Sequence, residues 1–311
     1  MWVGEAVEGR PMGQRAVVTA GTGGIGLETA MGLAASGLAV TVVGRDAERG
    51  ARAVERIAAV ATGGEPRFVA ADLASLGAVR SLAARLAAEG PLKVLVNNVG
   101  AMFADRQRTV DGIEATFAVN HLSPYLLTEL LLDQLRADGP SRIVNVSSGA
   151  IRAAKRSFDA VEPPGGYYAF HWYGRAKLAN LVYTLDLAER LRGSGVTVFA
   201  ADPGGAATDM TNGTMRSPKI VSPPLRLLWP LVRRIFERST AGSAAMAARS
   251  SVAAATDASL DGRTGLLIGP EATPVPAFRG SGDPRTVKDV LRLSRRLAPL
   301  EERPPSRPGP R

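Results

Sequence analysis

The chain has 311 residues, 45% hydrophobic and 22% charged, with no apolar run long and clean enough to span a bilayer and no secretory signal in MWVGEAVEGRPMGQR. This predicts a soluble, cytoplasmic protein without membrane contact, at a length where α/β folds often form a single unit. The lack of cysteine, with His121 and His171 the only imidazoles, excludes disulfides and thiolate chemistry and argues against a metal site; the net charge of +9 lies on scattered arginines, which suits an anionic cofactor better than nucleic acid.

After an N-terminal extension over residues 1–12, short apolar runs alternate with longer amphipathic ones. AVVTA precedes a helix from Ile25 to Ser36, VTVVG one from Ala47 to Ala61, and RFVAAD one from Leu76 to Glu89. The rhythm continues through KVLVNN, a helical stretch around Val119 to Leu135, RIVNVSS, a helix from Tyr173 to Arg192, and VTVFAADPG. Asp283-Pro284 supplies an N-cap and first-turn proline for a last helix through Leu300, and the Pro-rich tail 301–311 reads as disordered. Strands alternating with helices predict a single-domain, Rossmann-type, doubly wound parallel sheet with helices on both faces, over residues 13–300. Ligands of such a fold bind beyond the carboxyl ends of the strands.

The first such end carries TAGTGGIG, Thr19 to Gly26. A glycine-rich turn entering a helix lets backbone N–H groups approach a diphosphate. Two registers fit: Gly21-x-Gly23-x-x-Gly26, or Ala20, Gly24 and Gly26, whose first member is not glycine. At the end of the second strand, Val43-Gly44-Arg45-Asp46 offers a fixed cation suited to a 2′-phosphate, which favours NADP(H) over NAD(H). Asp46 as a ribose acid is the competing reading.

Tyr173 and Lys177 stand four apart on a helix and share a face. A phenol with a free pKa near ~10 becomes a usable proton shuttle if an adjacent ammonium lowers it. RIVNVSS ends with Ser147 and Ser148, hydroxyls able to hold a carbonyl oxygen, and FAVNHL brings Asn120 to position a water or to serve as a buried structural amide.

With these motifs in order the chain resembles the short-chain dehydrogenases/reductases, most of all their retinol dehydrogenase-like branch, over residues 13 to 300. The resemblance rests on the glycine cluster, Arg45, ADL at Ala71 to Leu73, NNVG at Asn97 to Gly100, Asn120 in VNHLSPYLLT, VSS, the tyrosine–lysine pair and DPGGAAT at Asp202 to Thr208. It implies that Ser148 polarises the substrate oxygen, that Tyr173 is the general acid or base, that Lys177 tunes it and holds the nicotinamide ribose, and that Asn120 supports a proton relay. It assigns the cofactor to Gly21, Thr22, Gly24, Ile25, Gly26, Arg45, Asp72, Leu73, Asn98, Gly100, Tyr173, Lys177, Pro203, Gly204 and Thr208. Ala20, Val99 and Asp202 depart from the family pattern.

Between Ser148 and Tyr173, Phe158, Tyr167, Tyr168, Phe170 and Trp172 suggest a wall for a bulky apolar substrate. Residues 210–240, with leucines and arginines interleaved, read as a substrate lid, with core cover, an oligomer contact and a membrane face as the other readings. The expected protein is an NADP(H)-dependent oxidoreductase for a mostly apolar carbonyl or alcohol, working as a homo-oligomer, dimer or tetramer. Its rivals are an enzyme of this fold with a non-redox cyclase or epimerase role in natural-product biosynthesis, and a nucleotide-binding module without turnover.

Overall fold

The computed structural model describes residues 14–162, 165–205, 218–231, 233–234 and 242–300. Eight strands form one sheet: β1 (Arg15–Thr19), β2 (Ala39–Gly44), β3 (Arg67–Ala70), β4 (Val94–Asn97), β5 (Ser141–Val146), β6 (Val196–Ala201), β7 (Leu266–Ile268) and β8 (Pro274–Val275). Their spatial order is β3-β2-β1-β4-β5-β6-β7-β8, with every neighbouring pair parallel except β7 with β8. The helices described are α1 (Gly24–Ala35), α2 (Ala47–Ala58), α3 (Leu76–Ala88), α4 (Ala115–Phe117), α5 (Ser123–Leu130), α6 (Leu132–Arg136), α7 (Ala169–Arg190), α8 (Pro223–Leu227), α9 (Ala244–Thr256) and α10 (Pro284–Leu297). None is long and apolar enough to cross a membrane.

Both sheet faces are covered, which is why the strands read as unbroken apolar runs. Val17, Val43, Leu95 and Ile143 pack with Leu82 of α3, Leu126 of α5, Val182 of α7 and Leu293 of α10. Val18, Val42, Val96 and Val144, one residue on along each strand or one before it, pack with Leu33 of α1, Ile57 of α2 and Ala254 of α9 on the opposite face.

Several expected boundaries move, among them the end of α2, at Ala58 rather than Ala61. The helix placed from Tyr173 starts at Ala169, one turn earlier, and the last helix ends at Leu297. The stretch from Val119 to Leu135 is not one helix: a π-helical turn over Ala118–Leu122 runs into α5, and the backbone breaks at Leu131 before α6.

Candidate active site

The chain steps outward from β1 through β2 to β3, then returns to β4 on the other side of β1. Loops leaving the two central strands diverge at such a switch point and open a crevice. The cleft there measures about 1410 Å³ and is lined by residues following β1 through β6.

Its first wall is the turn from β1 into α1. Ala20 (φ +50°) and Gly24 (φ +52°) both take left-handed backbone, so the conformational demand follows the register Ala20, Gly24, Gly26. Gly26 is constrained by proximity instead: a Cβ there would stand 2.3 Å from the Ala20 carbonyl oxygen and 2.4 Å from Asn98 Nδ2. Gly21 does not line the cleft; a Cβ on it would meet Val42 of β2 at 2.7 Å. Its lack of a Cβ lets the turn pack on the sheet. Thr22, Gly24 and Ile25 do line the cleft, and no side chain caps the N-terminus of α1, whose N–H groups remain available to an anion.

Arg45, following β2, and Arg49, from the first turn of α2, line the same end. Asp46 also borders it, yet its Oδ1 accepts the Arg49 N–H at 2.9 Å, and this cap holds the carboxyl below the usual range. Asp46 is thus a helix cap at this end of the cleft. Arg49 was not foreseen from the sequence, where it looks like one of several arginines on a solvated helix. Asp72 and Leu73 arrive from β3, Asp72 accepting the Ala74 N–H at 3.1 Å. From the end of β4, Asn98 donates to the carbonyls of Thr19 (3.1 Å) and Ala20 (3.3 Å), and Val99 N–H donates to Thr19 Oγ1 at 3.1 Å. The glycine turn and the NNVG stretch are thus one hydrogen-bonded unit.

On α7, Tyr173 and Lys177 are 7% and 1% exposed and both line the cleft. Lys177 Nζ donates to the carbonyls of Val146 (2.9 Å) and Val99 (3.2 Å) and lies 5.9 Å from the centre of the Tyr173 ring. Burial pulls the ammonium down to about 7. Burial likewise pushes the Tyr173 phenol up to about 12, against a hydrogen bond with Ser148 that lowers it and with the charge of Asp202 that raises it further. Desolvation is thus the dominant influence on both groups. Ser148 caps a 3₁₀ turn over Gly149–Ala153, its Oγ accepting the Ala150 N–H at 3.2 Å. Ser147 beside it lines the cleft with a buried hydroxyl that has no partner among the described residues.

Asn120 sits in the π-helical turn, wholly buried and behind the cleft wall. Its amide donates to the carbonyls of Ala101 (2.7 Å) and Thr116 (2.8 Å), and its Oδ1 accepts the Ala101 N–H at 3.2 Å. These bonds fix the Gly100–Ala101 turn next to Lys177. A Cβ on Gly100 would lie 3.5 Å from Asn120 Oδ1 and 3.6 Å from Lys177 Nζ, so this glycine separates the two. Asp202, Pro203 and Gly204 complete the lining after β6; Asp202 accepts the Gly204 N–H at 3.1 Å, and burial raises its carboxyl. Thr208 lies outside the described residues.

Of the five aromatics expected to form the substrate wall, Phe170 alone lines the cleft, in company with Met102, Phe103 and Phe278. Phe158 stacks on Arg175 at 4.8 Å, the Tyr167 hydroxyl donates to the Phe103 carbonyl at 2.7 Å, Tyr168 meets His171 edge-on, and Trp172 is buried beside Tyr167. These four build the loop that carries the wall. Of the region read as a lid, residues 218–231 and 233–234 are described: Ile220 and Val221 are buried with Met102 and Tyr173, whereas Leu227, Leu228 and Leu231 are exposed.

A nicotinamide dinucleotide fits this donor set. The uncapped helix start and its turn suit the diphosphate, the Arg45 end suits the adenosine half, and the orphaned Ser147 hydroxyl lies where the chain approaches Tyr173 and Lys177.

A family model described as short chain dehydrogenase matches residues 14–218. Retinol dehydrogenase 12 of Mus musculus is 37% identical over 232 residues, covering 74% of this chain and 71% of that one. Polyprenol dehydrogenase of Danio rerio is 35% identical over 263 residues, covering 82% and 78%. Among solved structures, an uncharacterized protein from Mycobacterium Paratuberculosis superimposes with a TM-score of 0.70 at 27% identity, covering 92% of this chain and 93% of that one. The RhlG/NADP active-site complex of Pseudomonas aeruginosa superimposes with a TM-score of 0.62 at 27% identity, covering 82% and 94%. With the switch-point cleft and the serine, tyrosine and lysine gathered in it, these likenesses establish that the chain belongs to the short-chain dehydrogenase/reductase family, in its retinol dehydrogenase-like branch, and is an NAD(P)-dependent oxidoreductase.

Proposed function

We propose that the protein reduces the carbonyl group of a bulky, mostly apolar ketone or aldehyde, with NADPH as its cofactor. The observation that carries this reading is the buried Tyr173 hydroxyl, which lines the cleft hydrogen-bonded with Ser148 and which burial keeps in its protonated form. A phenol so placed is an acid waiting for an oxygen that gains electrons. Bound nicotinamide supplies the hydride. The chain's own residues do the rest: Ser148 holds the carbonyl oxygen, Tyr173 donates the proton to it as negative charge develops, and Lys177 takes part of the positive role in stabilising the phenolate that remains. Asn120 keeps the Gly100–Ala101 turn in place, so that Lys177 retains its two carbonyl partners.

The NADP reading rests on Arg45 and Arg49 at the adenosine end, with Asp46 drawn away to cap α2. A carboxylate free to grip the ribose hydroxyls would favour NAD; two guanidinium groups favour a 2′-phosphate. The NADP named with the RhlG structure supports it, and the retinol and polyprenol of the relatives' names support an apolar substrate. Phe103, Phe170 and Phe278 supply the matching wall. The test is Tyr173→Phe, assayed by NADPH oxidation with a panel of hydrophobic ketones and aldehydes. A loss of about 10²-fold or more in kcat with NADPH affinity retained is expected; undiminished turnover would overturn the assignment.

A further inference from the structure

Arg152 and Arg279 line the substrate end of the cleft, more positive charge than an apolar ligand needs. The carboxylates among its described lining residues are Asp46, Asp72 and Asp202. Asp46 and Asp72 follow β2 and β3 and belong to the adenosine end, which leaves Asp202 as the carboxylate at the end that Arg152 and Arg279 also line. Burial raises the Asp202 carboxyl, while the Gly204 N–H and the charge of Arg152 lower it, so Arg152 is within electrostatic reach of this carboxylate.

Arg152 is exposed at the cleft, and its donors are open. It lies on the 3₁₀ turn that Ser148 caps, four residues beyond that serine. Its guanidinium stacks 4.9 Å from the centre of the Phe278 ring, which lines the cleft beside it, and one terminal nitrogen reaches within 3.2 Å of where a Cβ on Gly149 would stand. Among the described residues none accepts a hydrogen bond from Arg152. The Phe278–Arg279 turn is itself anchored, Arg156 donating to the Arg279 carbonyl at 3.0 Å. A guanidinium kept flat on a ring gives up little conformational freedom when it meets a carboxylate or phosphate, and its fork of N–H groups remains available.

We infer that Arg152, backed by Phe278 and joined by Arg279, receives an anionic group carried by the substrate, so that the preferred substrate is an apolar carbonyl compound bearing a carboxylate or phosphate. The inference rests on the reductase reading for what the ligand is, but not for whether the anion binds. A simpler role for Arg152, balancing the charge of Asp202, predicts a different pattern of losses.

The experiment is a calorimetric titration of the NADPH-saturated protein at pH 7.5 with decanol, decanoate and decyl phosphate, repeated on Arg152→Ala, Arg152→Lys and Arg279→Ala. One or both anions should bind about tenfold or more tighter than decanol, and whichever is tighter names the group. Arg152→Ala should abolish that preference while leaving decanol within about twofold, with Arg152→Lys restoring part of it and Arg279→Ala reducing it. Equal affinity for all three probes in the native protein overturns the inference, as does a preference that survives Arg152→Ala. Equal weakening of all three probes in Arg152→Ala, reversed by adding Asp202→Asn, assigns Arg152 to charge balance instead. None of these readings requires turnover, so a failure here stands apart from a failure of the Tyr173→Phe test.

Discussion

Ala20 holds a backbone angle that glycine adopts without steric cost, φ +50°, at a turn where the cofactor is expected to approach. An L-residue there costs on the order of 1 kcal/mol, while glycine would cost somewhat less than that in the unfolded chain. Ala20→Gly is therefore expected to raise the unfolding midpoint by a degree or two, with NADPH affinity equal or tighter by fluorescence titration. A loss of affinity beyond about threefold would mean that the methyl group itself makes a useful contact. Lys177 bears a larger electrostatic load. Its pKa falls from 10.5 to about 7 on folding, so the unfolded chain binds the extra proton between those values, and stability is lost as pH falls through that window. Tyr173, raised from 10.0 to about 12, acts oppositely, its contribution being lost as pH rises from 10 to 12. Denaturant titrations of the native protein and Lys177→Met should diverge between pH 7 and 10, the native protein gaining with a slope approaching ~1.4 kcal/mol per pH unit. A flat difference would show that Lys177 stays charged in the fold.

Between Ser148 and α7 one buried cation gathers three backbone carbonyls. Arg175, 1% exposed, donates to the carbonyls of Ser157 (2.8 Å), Ala160 (2.7 Å) and Val161 (3.0 Å) between the rings of Phe117 (4.7 Å) and Phe158 (4.8 Å). Replacing it by Met keeps the packing volume but leaves three carbonyls without their donor, which should cost about 2–4 kcal/mol in chemical denaturation. Limited proteolysis should then cut near residues 155–162 well before global unfolding, because the staple acts on that loop. Nothing local in the sequence announces this role. The strands were legible because burial on both faces leaves runs such as VTVV and VLV, and the tyrosine, lysine and Ser148 were legible because helical spacing and a strand end carry their own geometry. The start of α7 was not, since Tyr168 offers no capping side chain, and neither was the π-helical turn, which differs from α-helix by one hydrogen-bond register. The aromatics of the loop were assigned to the wall because composition does not say which way a loop side chain turns. Arg49, Arg152 and Phe278 reach the cleft through tertiary folding, with no motif to mark them.

At the scale of the molecule, a net charge of +9 is spread widely, yet its use in the cleft is local. Arg45 and Arg49 line the cleft after β2, and Arg152 and Arg279 line it after β5 and β8. If the first pair reads the 2′-phosphate, its contribution belongs to NADPH and not to NADH. Ligand binding stabilises the fold by mass action, adding about 2.7 kcal/mol at a hundred times Kd, so cofactor choice can be read as a thermal shift without knowing the substrate. In the native protein a saturating NADPH dose should raise the unfolding midpoint by roughly 5 °C or more, and NADH at the same concentration by less. The double variant Arg45→Ala with Arg49→Ala should lose most of the NADPH shift, with Kd rising about 10- to 100-fold, while the NADH shift stays where it was. Added salt should erode the NADPH shift faster than the NADH shift in the native protein, because exposed guanidinium–phosphate attraction is screened over a Debye length of about 10 Å at 0.1 M. Equal losses for the two cofactors in the double variant would place both arginines on the shared diphosphate, and would return the 2′-phosphate to residues elsewhere in the chain.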